Sequence, residues 1–419
     1  MRRTIANALR TLVRAAVLTG VAMATGLWTV PHALSQPPAT DETRLESRFV
    51  RGSPFVKVKL NGRNSQWFLI DTGAPLTTIE ETVARSLFDV EVKKRPEREG
   101  VRPRKGDYSE YIDHLGIALG DRILDPPRVW LESLDGFSEG VGFAMGGIIG
   151  GDLLSLMVLR IDYEHRTIDL INRSPWRYAG DGEVVPILAS GYAMALTTVT
   201  LEGGERVGAL VVIDTGSNGT CSFSSEFVKK LQQSSLTTFT EKPEGLIRTA
   251  YGDGLRSTWS VRGLTFGALR IGEMPATVGD LPIPRVDGMV GNEVLQRFTL
   301  TLDLAQNRVI LEANRRLHDP FVRNPWGLGV GIPGPKFDTV RLMVALEETA
   351  VARAGLQIGD ELLELEGQKA IELGIDGIAE RSREHYDSGI LHIRVRTKDG
   401  VEKDVELVAD TAAVPPTVK

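Results

Sequence analysis

An internal repeat constrains this chain more than any other feature of its sequence. Residues 68–74 read Phe-Leu-Ile-Asp-Thr-Gly-Ala, and much later in the chain residues 211–217 read Val-Val-Ile-Asp-Thr-Gly-Ser. Each copy is an apolar run that ends in Asp-Thr-Gly and is followed by a small residue. Two carboxylates held close together can share one proton, so that one acts as a base and the other as an acid. The repeat therefore predicts a site at a pseudo-two-fold axis, to which each half contributes one carboxylate, Asp71 and Asp214.

The repeat extends well beyond the two tripeptides. Three further segments recur in the same order, at a constant distance along the chain. This distance differs slightly from that between the two tripeptides, and short insertions and deletions in loops account for the difference. These pairs are Val58–Gly62 with Val199–Gly203, Gly147–Leu154 with Gly288–Leu295, and Arg160–Tyr163 with Thr301–Leu304. Four matches in one order indicate a tandem duplication. Two copies are too few for a solenoid, so two packed lobes are the better interpretation.

These elements resemble the pepsin and retropepsin superfamily of aspartic proteases over residues 49–315. In that superfamily a later apolar-apolar-Gly segment passes beside each Asp loop and supports it. Gly150 and Gly291 end such segments here, at nearly the same distance along the chain from Asp71 and from Asp214. This short spacing is closer to a retropepsin subunit than to a full pepsin lobe. The resemblance implies a mostly β, bilobal chain built from two acid-protease β-barrels.

The resemblance also implies a chemistry for the two carboxylates. The ionised one of Asp71 and Asp214 would take a proton from a water that attacks a peptide carbonyl. The protonated one would donate to the carbonyl oxygen and later to the leaving amine. No metal, organic cofactor or covalent intermediate is expected, and the six histidines include no metal-spaced pair.

Further residues of the Asp loops receive supporting roles from the same resemblance. The hydroxyls of Thr72 and Thr215 would reach across the lobe interface and hold the two loops together. Gly73 and Gly216 would let backbone N–H groups approach the carboxylates. Ser217 can hydrogen-bond its own Asp, whereas the alanine at the matching position cannot.

Aspartic proteases cover the cleft with a β-hairpin flap, and the chain offers one candidate in each half. Tyr251, Gly252 and Gly254 lie in a Tyr-Gly-x-Gly sequence that resembles a pepsin flap, although pepsins carry it in the first lobe. In the first half, the segment 100–111 contains Tyr108. Two flaps, as in a retropepsin dimer, are one interpretation, and a turn with a packed tyrosine is the other.

A third unit follows the repeat. Residues 350–363 contain Ala-x-x-Ala-Gly-Leu-x-x-Gly-Asp, which resembles a signature of bacterial PDZ domains, a small α+β fold, over residues 324–410. The family's carboxylate-binding loop corresponds to Gly327, Leu328, Gly329 and Val330, where a chain-terminal peptide would add as a strand. The alternative is that Ala354-Gly355-Leu356 and Gly359-Asp360 form only turns and core.

The N-terminus differs from the rest of the chain. Four arginines precede an apolar stretch at 15–30 and a small-x-small site, which predicts a signal peptide cleaved after Ser35. An uncleaved membrane anchor is the alternative. The expected organisation is a signal peptide at 1–35, a linker at 36–48, lobes at 49–176 and 177–315, a linker at 316–323, the PDZ unit at 324–410 and a tail at 411–419.

Composition excludes some classes of function. Removal of residues 1–35 leaves 45 basic against 55 acidic residues, and a net charge of −10 argues against nucleic-acid binding. Cys221 is the single cysteine, so no intrachain disulfide can form. Its expected role is a small buried side chain, since no histidine partner that would make it a catalytic thiol is evident.

The leading hypothesis is an exported aspartic endopeptidase in the periplasm or outside the cell. It would act as a monomer on protein or peptide substrates, with the PDZ unit binding a C-terminal peptide. A membrane would be a partner only if the signal segment stays uncleaved. The alternatives are a non-catalytic peptide-binding scaffold with the same fold, and a processing protease with a single target.

Overall fold

A computed structural model describes residues 42–63, 65–95, 109–171, 176–189, 191–239, 243–249, 252–321, 324–344 and 349–409. The predicted signal peptide, the tail, Tyr108 and Tyr251 lie outside these residues. The described chain is mostly β, as predicted. We call 42–171 the first half, 176–315 the second half and 324–409 the C-terminal segment. Among the described residues, no helix has the length and apolar character needed to cross a bilayer.

The described residues of the first half form short strands and three short helices. The strands are β1 Glu42–Leu45, β2 Ser47–Val50, β3 Ser53–Leu60, β4 Ser65–Ile70, β5 Thr78–Glu80, β6 Lys93–Lys94, β7 Glu110–Ile112, β8 Ile117–Leu119, β9 Arg122–Leu124, β10 Val129–Glu132, β11 Gly147–Ile149, β12 Val158–Asp162 and β13 Thr167–Ile171. The helices are α1 Glu81–Ser86, α2 Asp135–Val141 and α3 Gly151–Leu154.

The second half follows a similar order of elements. Its strands are β14 Glu183–Ala189, β15 Ala193–Thr200, β16 Arg206–Ile213, β17 Cys221–Ser224, β18 Pro243–Thr249, β19 Gly252–Val261, β20 Gly263–Phe266, β21 Leu269–Ile271, β22 Met274–Gly279, β23 Gly288–Val290, β24 Phe298–Asp303 and β25 Arg308–Ala313. Its helices are α4 Ser225–Gln233 and α5 Asn292–Leu295, with a 3-10 turn at Leu304–Gln306.

The C-terminal segment forms a sheet of its own. It contains β26 Gly329–Gly331, β27 Arg341–Val344, β28 Glu361–Leu365, β29 Gln368–Lys369, β30 Ile390–Arg396 and β31 Glu402–Val408, with helices α6 Ala350–Arg353 and α7 Ala370–Arg383. The sheet order is β26-β27-β28-β30-β31, so β26 is an edge strand. Helix α7 is kinked at Gly374, whose φ of 64° places it in the left-handed region.

The two halves have the same strand pairing around the Asp loops. β4 pairs in parallel with β11, and β16 pairs in parallel with β23. β5 pairs antiparallel with β11 and in parallel with β10. In the same way, β17 pairs antiparallel with β23 and in parallel with β22. The apolar-apolar-Gly segments therefore lie directly beside the strands that end at Asp71 and Asp214.

Backbone pairing also joins the halves to each other. β12 pairs antiparallel with β24, for example Leu159 with Leu302 and Ile161 with Leu300. The resulting run of strands is β1-β13-β12-β24-β25-β14, which takes members from both halves. β24 ends at Asp303, whose carboxylate accepts from Arg308 Nε of the neighbouring strand at 2.9 Å. The same sheet continues through β15 to β16, so the strands shared by the two halves lead to the loop of Asp214.

Residues 42–48 differ from the expected linker. β1 pairs with β13 over four residues, and β2 pairs with β3. Leu45 is 3% exposed and Phe49 is 5% exposed, so these strands anchor apolar side chains in the core. The polar and proline-containing sequence that precedes them concealed this, because Leu45 is the only large apolar residue of the expected linker from Glu42 onward.

Candidate active site

The two Asp residues stand at equivalent ends of the two buried parallel strand pairs. The N–H of Asp71 donates to the carbonyl of Ile149 at 3.1 Å, and the N–H of Asp214 donates to the carbonyl of Val290 at 2.9 Å. Each apolar-apolar-Gly strand therefore fixes the backbone of one Asp. The sequence repeat predicted this arrangement.

Gly150 and Gly291 come next in the chain, and at each of them another segment of the chain passes close to the backbone. An ideal Cβ on Gly150 would lie 2.5 Å from the backbone of Leu76, and one on Gly291 would lie 2.5 Å from the carbonyl oxygen of Gly219. Contacts that short do not occur for real side chains, so only glycine lets the strand pass the loop. This is the supporting position that the resemblance assigned to both residues.

The two threonines cross between the halves. Thr72 Oγ1 donates to the carbonyl of Ile213 at 2.5 Å, and Thr215 Oγ1 donates to the carbonyl of Ile70 at 2.7 Å. Each hydroxyl also accepts from the backbone N–H of the opposite threonine at 3.1 Å. Both threonines are fully buried, so these bonds are shielded from water. The crossing holds the two Asp loops face to face.

The carboxylates themselves accept from their own loops. Gly73 N–H donates to Asp71 Oδ1 at 2.7 Å, and Gly216 N–H donates to Asp214 Oδ1 at 2.9 Å. Asp214 accepts a second N–H, from Ser217, at 3.1 Å. This bond comes from the backbone N–H of Ser217, not from the hydroxyl that the sequence predicted, and an alanine could make it as well.

The two carboxyls are in different electrostatic environments. Burial raises the pKa of Asp71 above its ordinary value. Burial also raises the pKa of Asp214, and the neighbouring charge of Asp71 raises it further. Asp214 is 5% exposed, whereas Asp71 is partly exposed. Burial and the repulsion between the two charges therefore favour one proton shared by the pair.

A hydrogen-bond network supports the second loop from behind. The fully buried Asn292 donates through Nδ2 to the carbonyl of Thr215 at 2.7 Å and accepts from Tyr163 Oη at 2.8 Å. Tyr163 belongs to the first half, so the network spans both halves. Sequence reasoning missed these residues. The available signal in the sequence was a difference between the two copies of the repeat, because Asn292 stands where the first half has Gly151.

Apolar side chains of the second half lie beside the pair of carboxylates. Tyr192, Met194 and Met289 are partly exposed above a buried layer that includes Val212 and Ile283. Burial raises the pKa of Tyr192, and the charge of Asp71 contributes, which places the phenol near that carboxylate. This wall was not identified from the sequence.

One position of this wall is closed in the first half. Leu69 pairs with Ile148 as Val212 pairs with Met289, and both Leu69 and Val212 are buried. Ile148 is only 3% exposed, whereas its counterpart Met289 is partly exposed. Leu69 and Ile148 belong to a cluster that includes Phe55 and continues into the C-terminal segment through Ile332. The two sides of the candidate cleft therefore present different surfaces.

Both halves carry a strand pair at the position expected for a flap. β6 pairs with β7 in the first half, and β18 pairs with β19 in the second. Gly252 lies opposite Thr249 and Gly254 lies opposite Ile247, so both glycines are in the pair near its end. Tyr251 and Tyr108 lie outside the described residues, and their predicted roles stay predictions.

The proposed carboxylate loop of the C-terminal segment leads into edge strand β26. Gly327 has a φ of 71°, and a Cβ there would lie 2.5 Å from the side chain of Thr349. Leu328 and Val330 are 8% and 9% exposed, and Gly329 opens the strand. A role for these residues in peptide binding stays a prediction.

Other candidate chemistry is sparse in the described part of the chain. There, no group of three or more His, Cys, Asp or Glu side chains could hold a metal ion. Burial raises the pKa of the Cys221 thiol to about 12, which is unsuitable for a nucleophile at moderate pH. Neither a protein-family model nor a curated protein sequence matches this chain.

Proposed function

We propose that this chain is an exported aspartic endopeptidase of pepsin-like and retropepsin-like architecture, with a PDZ-like C-terminal domain. The observation that carries the proposal is the pair of Asp loops locked by reciprocal threonine hydrogen bonds. Such a lock holds two carboxylates at a fixed separation, which paired acid–base chemistry needs.

In the proposed reaction the two carboxyls have different roles. Asp71, the more exposed and ionised member, takes a proton from a water bound between them. Asp214, which holds the shared proton, donates it to the substrate carbonyl oxygen as the water attacks. The tetrahedral intermediate then collapses with proton transfer to the leaving amine. Atoms and charges balance with water as the only co-reactant.

The second-half wall supports a preference for apolar substrate side chains. Tyr192, Met194 and Met289 offer an apolar surface beside the strand that ends at Asp214, and a bound segment would cover it. Burial of an apolar side chain there would contribute on the order of 1.5–3 kcal/mol to binding. We therefore expect cleavage sites with apolar residues beside the scissile bond.

Digestion of an unfolded protein by purified residues 36–419 tests the proposal from about pH 3 to 8. Asp71→Asn and Asp214→Asn should each lower the rate by at least ~10²-fold, since general acid–base groups contribute roughly 10²–10⁴. Asp121→Asn, at an exposed carboxylate outside the site, is the matched control. Cleavage that survives in both site variants would exclude the carboxylate pair as its source.

A non-catalytic peptide-binding scaffold is the second candidate. The placement of the flap sequence favours it, because Gly252 and Gly254 lie in the second half, whereas pepsins carry this sequence in the first lobe. Stable binding of unfolded chains without any cleavage across the pH range would support this function. A transition-state analogue of the statine type separates the two, since an active pair should bind it far more tightly than a plain peptide.

A further inference from the structure

Glu132 points away from the core of the first half. Val129 and Leu131 of the same strand belong to that core and are 0% and 5% exposed. Successive side chains of a strand alternate between its two faces, so Trp130 and Glu132 point to the opposite face of β10, where both are partly exposed. β10 pairs in parallel with β5, the strand that follows the loop of Asp71.

This face of the sheet also carries the closed side of the candidate cleft. Thr78 of β5 pairs with Trp130 on one side and with Ile148 on the other, and Ile148 pairs with Leu69. Side chains of directly paired residues lie on the same face of a sheet, so these four residues form one row across it. Glu132 lies on the same face, two residues beyond Trp130 along β10.

Glu132 has no cationic partner within the described chain. Burial raises its pKa to about 7, the neighbouring hydroxyl of Thr78 lowers it, and the charges of Asp71 and Glu80 raise it. No Lys, Arg or His of the described residues contributes to this pKa or forms an ion pair with Glu132. The influence of Asp71 places the Glu132 carboxyl near the catalytic pair proposed above.

Thr78 places a second polar group beside this carboxyl. Thr78 is 1% exposed, and its Oγ1 forms no hydrogen bond of normal geometry in the described chain, although it lies close enough to Glu132 to lower the pKa of that group. The strand partner of Glu132 is different, because Glu80 accepts the N–H of Leu134 at 2.5 Å and caps α1. The fold therefore uses the carboxylate of Glu80 but not that of Glu132.

We propose that Glu132 gives the cleft a preference for a basic residue, by pairing with a lysine or arginine side chain of the bound polypeptide. This inference rests on the proposed function, because it takes the cleft at the Asp loops as the place where the polypeptide lies. A hydrogen bond between a cation and a carboxylate is roughly twice as strong as a neutral one, and partial burial strengthens it. The nearby charge of Asp71 adds to the attraction.

The two sides of the cleft would then select different side chains. The second half offers the apolar surface of Tyr192, Met194 and Met289, whereas the first half offers the charge of Glu132. A preferred segment therefore carries an apolar residue and a basic residue at a fixed separation along its chain. This pattern distinguishes the expected substrates from segments that are apolar throughout.

Affinity selection from a displayed library of random dodecamers tests the preference. The Asp214→Asn chain is used at about pH 8, so that no peptide is cut and Glu132 is ionised. Selected peptides should be enriched in Lys or Arg at one fixed position relative to an apolar residue. The additional substitution Glu132→Gln, which keeps the shape of the side chain, should abolish this enrichment. Glu273→Gln, at an exposed position of the second half, should preserve it.

A matched pair of peptides measures the contribution of the charge. One enriched peptide is synthesised with lysine or with norleucine at the basic position, so that only the charged group differs. The lysine peptide should bind at least about tenfold more tightly, the equivalent of about 1.4 kcal/mol, and the two should bind equally after Glu132→Gln.

Three results would overturn the proposal: no enriched peptides, enriched peptides without a basic residue, or a basic preference that survives Glu132→Gln. Neither measurement uses hydrolysis. A chain that shows the preference but never cleaves a peptide would therefore refute the proposed protease activity alone, and failure of one proposal is distinct from failure of the other.

Discussion

Gly73 faces the carboxyl group of Asp214 so closely that no side chain fits between them. An ideal Cβ on Gly73 would lie 2.5 Å from the carboxyl carbon of Asp214. Gly216 has the same relation to Asp71, also at 2.5 Å. The glycine of each loop thus borders the carboxylate of the other, and the two carboxylates can approach only because both positions lack a Cβ.

Gly216→Ala should therefore displace Asp71 and abolish most of the proposed proteolytic activity, while the fold persists. The added methyl group would meet the carboxylate, which must rotate away from the shared site. We expect a fall in kcat of at least ~10²-fold, comparable to removal of an acid–base group. Gly208→Ala is the control, because a Cβ there meets nothing within 4 Å on the strand that leads to Asp214. Circular dichroism should be native for both variants, and equal activity would refute the steric argument.

Thr72→Val should destabilise the chain more than Thr72→Ser. Valine keeps the shape but removes the hydroxyl that bonds the carbonyl of Ile213 and the N–H of Thr215. Each buried group left without a partner costs about 1–3 kcal/mol. Serine retains both bonds and should lose less than ~1.5 kcal/mol, the range for removal of one buried methyl group. Denaturant unfolding measures the difference, and equal midpoints would show that the crossing bonds contribute little.

Asn292→Ala should weaken the second Asp loop specifically. The substitution leaves the carbonyl of Thr215 and the hydroxyl of Tyr163 without their partner. We expect a loss of about 2–4 kcal/mol from these two buried groups and the cavity. Tyr163→Phe removes only the far end of the network and should cost less, about 1 kcal/mol. A larger loss of stability in Tyr163→Phe than in Asn292→Ala would contradict this prediction.

The sequence predicted the parts of this site that both halves share. Each half needs the same apolar strand, Asp-Thr-Gly and later glycine, so duplication repeats the pattern and makes it visible. Asp71, Asp214 and the crossing threonines accordingly lie where the repeat places them. The mostly β character followed from short apolar runs separated by turn residues and is confirmed.

Features present in only one half were not predictable in this way. Asn292 and Tyr163 are far apart in the sequence and have no counterpart pair, so their bond exists only after the halves pack. Tyr192 follows no motif and gains its place from the loop before β15. The bond between Ile332 and Glu139 depends on packing between segments that are even more distant along the chain. Such contacts leave no periodic signal in a single sequence.

Glu132 should make stability fall as pH rises. Burial raises its pKa from 4.5 to about 7, with added repulsion from Asp71 and Glu80. The folded chain therefore holds this proton more tightly than the unfolded chain does. The contribution is fully present below the unfolded pKa of 4.5 and is lost as pH rises through about 7. Glu132→Gln removes the titration, so its stability relative to the wild type should increase between these values and stay constant outside them.

Denaturant unfolding of both proteins at half-unit steps from about pH 4 to 8 measures this difference. Asp71 supplies a further test, because its charge contributes to the raised pKa of Glu132. In an Asp71→Asn background that repulsion is absent, so the window should end below about pH 7. Burial still keeps the pKa of Glu132 above its ordinary value. A window unchanged by Asp71→Asn would show that the charge of Asp71 does not contribute to the raised pKa of Glu132. Parallel stability curves for Glu132→Gln and the wild type would show that its pKa is not raised by folding.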